Sequence, residues 1–89
     1  MIKQLLSLSF NDRLIIFDSW HQIELDEPVT NSGNAIVNGI ARDLYMWLDE
    51  SLEGDCCYYI ARSCKNQIIY QTFYFINEED LMLFKLAWL

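Results

Sequence analysis

The sequence predicts an α+β fold, a mostly antiparallel four-stranded sheet with two helices in the order β-β-α-β-β-α. Three observations lead there. Two pairs of β-prone runs are each interrupted by turn residues. A stripe of apolar residues at intervals of four lies between the pairs, and the chain closes on an acidic-headed run with helical spacing. With 89 residues and no stretch rich in Gly, Pro or Ser, the whole of 1–89 is expected to be one domain.

Taken in order, Leu6, Leu8 and Phe10 alternate with Ser7 and Ser9, and Asn11-Asp12-Arg13 offers turn chemistry. Leu14-Ile15-Ile16-Phe17 then resumes as a β-prone run, so a first hairpin is expected here. Its second strand extends irregularly from Trp20 to Leu25, and Asp26-Glu27-Pro28 ends it because proline cannot donate to a ladder.

Beyond Thr30-Asn31-Ser32-Gly33, Ile36, Ile40, Leu44, Leu48 and Leu52 recur every fourth residue, with Val37, Ala41 and Trp47 widening the stripe. This spacing predicts an amphipathic helix, with Gly54 just past its C-terminal end. Residues 56–63 and 67–76 are rich in Tyr, Ile, Phe and Thr, and Cys64-Lys65-Asn66 separates them as the loop of a second hairpin. In the final helix Asn77 is the N-cap and Glu78-Glu79-Asp80 complement the dipole, while Leu81, Phe84 and Trp88 form the inner face.

A three-residue loop at 64–66 pairs Arg62 with Ile68, Ile60 with Tyr70 and Tyr58 with Thr72. Strand alternation then puts Ala61, Ile69, Phe73 and Phe75 on a core face, and Tyr58, Tyr70, Tyr74 and Arg62 on an amphipathic face suited to a partner or a second copy. The competing interpretation is that a helix covers each face and the tyrosines are ordinary packing.

The charge is segregated as well as negative. Thirteen acids oppose six bases, yet residues 56–77 hold two of the bases and none of the acids, leaving −9 on the rest. The second hairpin brings Asp49, Glu50, Glu53 and Asp55 to the end of the sheet that carries Glu78, Glu79 and Asp80. Such a rim suits a basic or nucleic-acid-binding protein, including by imitation of DNA phosphates. A net charge of −7 repels nucleic acid and anionic lipid, so no direct nucleic-acid or membrane partner is expected. The alternative is a solvated face that keeps the domain soluble.

A 53% hydrophobic, 15% aromatic chain this short cannot cover all its apolar surface, which points to a complex or a homodimer. Catalysis finds no support. The single His21 has no motif around it, the adjacent Cys56 and Cys57 point to opposite faces of a strand, and Cys64 completes no C-x-x-C spacing. No enzyme activity, metal or cofactor is therefore expected. Three cysteines in this arrangement make a poor disulfide framework, and neither a secretory leader nor a membrane span is visible, which favours the cytoplasm.

The ending Phe73-Tyr74-Phe75-Ile76-Asn77-Glu78-Glu79-Asp80-Leu81-Met82-Leu83-Phe84-Lys85-Leu86-Ala87-Trp88 resembles the strand-then-helix terminus of small uncharacterised acidic proteins of tailed bacteriophages. That resemblance implies a viral, non-enzymatic protein that binds or inhibits a host protein in the host cytoplasm. The rival class is a small structural or assembly protein that forms a homo-oligomer.

Overall fold

Residues 10–19, which carry the turn triplet Asn11-Asp12-Arg13 and the run Leu14-Phe17, fold as a helix and not as the expected hairpin. The computed structural model describes residues 2–25, 36–37, 40–62 and 68–89; the side chains of 36, 37, 40, 41, 62 and 68–70 fall outside that description. Strand β1 is Ile2–Gln4, followed by a single 3-10 turn at Leu5–Ser7. The Ser7 hydroxyl donates to the Gln4 carbonyl at 2.6 Å and the Leu8 N–H to Leu5 at 3.2 Å, which bends the chain where alternation predicted a strand.

Helix α1, Phe10–Ser19, starts because the Ser9 hydroxyl accepts the Asp12 N–H at 3.2 Å. Asp12 also meets the positive end of the dipole. The Arg13 guanidinium donates back to the carbonyls of Leu8 at 3.1 Å and Leu6 at 3.2 Å, stitching the helix to the turn before it. Propensity is a weak prior beside such capping, and the β-branched run yields to it.

Strand β2 is His21–Leu25. Ile36–Val37 (β3) and Ile40–Ala41 (β4) form a two-stranded antiparallel pair, so helix α2 begins at Arg42 and ends at Ser51. The expected helix is thus shortened at its start; Asn38-Gly39, between the paired residues, is a strong hairpin signal in the sequence. The second hairpin is present as β5, Cys56–Arg62, and β6, Ile68–Phe75, and helix α3 spans Glu78–Trp88. The loop residues 64–66 and the proposed breaker at 26–28 lie outside the described residues.

Among the described residues there are three α-helices and a four-stranded sheet of order β1-β5-β6-β2. The sheet is mixed: β1 runs parallel to β5, while β6 is antiparallel to β5 and β2. The general α+β class stands, and the antiparallel β-β-α order is corrected. Parallel strands need a crossover. The long stretch between β1 and β5 supplies it: α1 leads from one edge strand, β1, to the other, β2, and α2 precedes the return at β5.

One face of the sheet, with Ile2, Cys56, Tyr58, Phe73 and Phe75, packs against Leu44 and Leu48 of α2 and Phe84 of α3. The Phe73 and Phe84 rings lie 5.1 Å apart and the Phe75 and Phe84 rings 5.4 Å apart. The opposite face buries Cys57 and Tyr74 beneath Leu5 and Ile16.

The predicted register holds at Arg62↔Ile68 and then slips by one. Ala61 pairs with Tyr70, Ile60 with Gln71, Tyr59 with Thr72 and Tyr58 with Phe73, across an irregularity between Ala61 and Arg62. Ile69 is the extra residue, and beyond it every β5 side chain faces the side of the sheet opposite to its expected one.

Candidate interaction surface

The slip dissolves the expected tyrosine face. Tyr58 is 2% exposed, pointing into the core with its ring 6.3 Å from that of Phe73; burial raises its phenol pKa. Tyr74 lies on the other side of the sheet, buried under α1, with its ring 5.7 Å from Phe17. The side chains of Tyr70 and Arg62 lie outside the described residues. Each sheet face carries a helix, and for Tyr58 and Tyr74 ordinary packing is the outcome.

What remains open is α1 itself. Of its ten residues Ile16 is buried, while Phe10 is 71%, Leu14 48% and Phe17 53% exposed. Spacings of four and three put these three on one side of the helix. Between that side and the sheet runs a groove of about 430 Å³. Leu6, Phe10, Leu14 and Phe17 form its apolar wall, and Gln22, Glu24, Tyr59, Thr72 and Tyr74 form its floor. The floor follows from pairing, since Gln22 lies opposite Tyr74 and Glu24 opposite Thr72.

Sequence reasoning assigned these apolar residues to a hairpin and so missed the surface. The signal was present: Ser9-x-x-Asp12 is a helix-start pattern, and Phe10, Leu14 and Phe17 follow it at helical spacing.

On the other flank of α1 a cavity of about 220 Å³ is lined by Lys3, Asp12, Ile15, Trp20, Asp55 and Cys57. Burial, reinforced by the Asp55 carboxylate, pushes the Cys57 thiol up to about 11, and burial pushes Cys56 higher still. Both therefore stay protonated at neutral pH, the unreactive form of a cysteine. Among the described residues, no three His, Cys, Asp or Glu side chains come together as a metal site. Cys56 faces the α2/α3 side of the sheet and Cys57 the α1 side.

The acidic end is assembled around Asp80, which is 3% exposed. Its carboxylate accepts the backbone N–H of Gly54 at 2.9 Å and of Glu53 at 3.3 Å, tying the first turn of α3 to the turn after α2. The Ile76 N–H donates to the Asp55 carbonyl at 3.1 Å in the same knot. Asp49, Glu50, Glu53, Asp55, Glu78 and Glu79 are all exposed, and Asp80 serves the fold. Asn77 stands at the N-cap of α3 without a side-chain capping bond, since its amide group is turned toward Gly54.

A further apolar strip, Met82, Leu83, Leu86 and Leu89, lies exposed on the outside of α3. No helix among the described residues is long and apolar enough to cross a membrane. No protein-family model, curated protein or solved structure matches the chain.

Proposed function

We propose that this chain is a non-enzymatic protein-binding domain whose main contact surface is the exposed side of α1 and the adjoining groove. The observation that carries this is a helix with built capping that leaves Phe10, Leu14 and Phe17 in water. Contiguous apolar surface of this kind, rimmed by polar groups, marks a contact site more often than a solvated face. The resemblance of residues 73–88 to phage proteins extends the proposal to a viral protein that binds or inhibits a host protein.

The test is affinity capture from a bacterial lysate with the natural chain and with Leu14→Glu, followed by mass spectrometry. A protein retained by the natural chain and lost on Leu14→Glu supports the α1 surface. Capture that survives the substitution moves the contact elsewhere.

A second reading rests on the knot at Asp80, which gathers Glu53 and Asp55 beside the start of α3. Here Glu53, Asp55, Glu78 and Glu79 would meet a basic or nucleic-acid-binding protein, as a DNA mimic does. Partner binding then weakens steeply between 50 and about 300 mM salt, and is lost when Glu53, Glu78 and Glu79 become Gln.

A further inference from the structure

The four-stranded sheet has two edges, and they differ. At one of them β1 is only three residues long, which offers little backbone for further pairing. At the other β2 has five residues, and its ladder with β6 is unbroken from His21 opposite Phe75 to Leu25 opposite Gln71. Among the described residues none hydrogen-bonds to the outer side of β2. Alternate residues of an edge strand point their N–H and C=O groups outward, and proteins blunt such an edge with lysine, proline or a bulge. Within His21–Leu25 none of these devices is present.

We infer that β2 pairs with β2 of a second copy of the chain, antiparallel about a two-fold axis at Ile23, so that two four-stranded sheets continue as one. The residues of β2 are complementary to themselves in that register. All five take part, with His21 opposite Leu25 of the second copy and Gln22 opposite its Glu24. Gln22 and Glu24 are both exposed on the α1 side of the sheet, so each Gln22 amide meets a carboxylate that accepts its N–H across the junction. On the core side Ile23 meets Ile23, and the half-buried Ile23 and Leu25 at the margin of the core gain apolar cover.

Moving the axis by one residue shortens the pairing to three residues, and moving it toward Leu25 also sets Glu24 against Glu24. Ile23 is therefore the position the strand itself selects. The inference does not rest on the α1 surface, although Gln22 and Glu24 also floor the groove beside that helix.

Sedimentation of the full chain at about 0.15 M salt tests it, since repulsion between two chains of −7 is there screened beyond about 8 Å. A junction this small lies at the low end of interface sizes, so a reversible dimer is expected between about 1 and 300 μM. Gln22→Glu sets like charges opposite each other twice and should weaken the dimer by about fivefold or more. Adding Glu24→Gln to that variant exchanges the two roles and should restore the dimer to within about twofold of the natural chain. Adding Glu79→Gln instead returns the net charge to the same −7 and should restore nothing. All three positions are exposed, and circular dichroism checks that each variant keeps its fold.

A monomer across the whole concentration range overturns the inference, as does a dimer indifferent to Gln22→Glu. Equal rescue by Glu24→Gln and Glu79→Gln overturns it too, because total charge and not strand register would then govern association. A dimer that Leu14→Glu or Leu86→Glu dissolves while Gln22→Glu leaves it intact places the second copy on α1 or α3, away from β2.

Discussion

The carboxylate of Asp80 in the first turn of α3 accepts the backbone N–H of Gly54 at 2.9 Å, joining segments 26 residues apart in the chain. Hydrogen bonds to a charged acceptor stabilise by about 1.5–3 kcal/mol when removal leaves the donors unmet. Asp80→Ala is expected to lower the unfolding free energy by that amount, read as a reduced urea midpoint at unchanged slope. Glu79→Ala, one residue away and exposed, changes it by less than about 0.5 kcal/mol.

Gly54 itself is required by crowding. A Cβ at this position would sit 2.5 Å from Ile76 Cγ2 and 2.7 Å from Asn77 Nδ2. Gly54→Ala should cost about 1–3 kcal/mol through forced displacement. Ile76→Ala in the same chain should return part of that loss, so a double-mutant cycle yields a coupling larger than about 0.5 kcal/mol. Strict additivity would contradict the close approach.

The slipped register makes Tyr58 a core residue and leaves Phe10 outside. Tyr58→Ala is expected to cost about 3–5 kcal/mol, as for other buried aromatics cut back to Ala. Phe10→Ala changes stability by less than about 0.5 kcal/mol despite removing a ring of similar size. The expected tyrosine face would have led to the opposite order, with Tyr58 the tolerant position.

Stability should fall at alkaline pH. Burial raises the folded-state Cys57 thiol from an ordinary 9.0 to about 11, so the folded chain holds this proton more tightly than the unfolded chain does. The contribution is complete below pH 9 and is lost as pH rises toward about 11. Cys56 and Tyr58 shift in the same direction and steepen the fall. Urea unfolding at pH 8, 9.5 and 10.5 measures the slope, and Cys57→Ala should flatten part of it. Alkylation of Cys57 by iodoacetamide at pH 8 should be much slower in the folded chain than in urea.

The surface of α1 was hidden in the sequence by competition between two local signals. Leu14-Ile15-Ile16-Phe17 has strand propensity, and Ser9-x-x-Asp12 has the chemistry of a helix start. The structure sides with the cap, reinforced by the Arg13 bonds to Leu6 and Leu8, which no local pattern announces. The neighbourhood of residues 55 and 76 was legible, because hairpin geometry alone brings them side by side. The burial of Asp80, alone among the acids of that end, was not, since it depends on two N–H groups from a distant turn.

By itself the sequence determined the α+β class, the second hairpin, the helix from Glu78, and the inward direction of Phe73 and Phe75, all written in short-range periodicity and capping. The tertiary structure alone decided that β1 joins β5 in parallel, that α1 crosses the sheet, and that Tyr58 and Tyr74 part to opposite faces. The reason is physical. Strand side chains alternate with period two, so one extra residue at Ile69 exchanges the faces. Whether that residue is accommodated depends on how α1, α2 and α3 pack over both sides, which no window of the sequence contains.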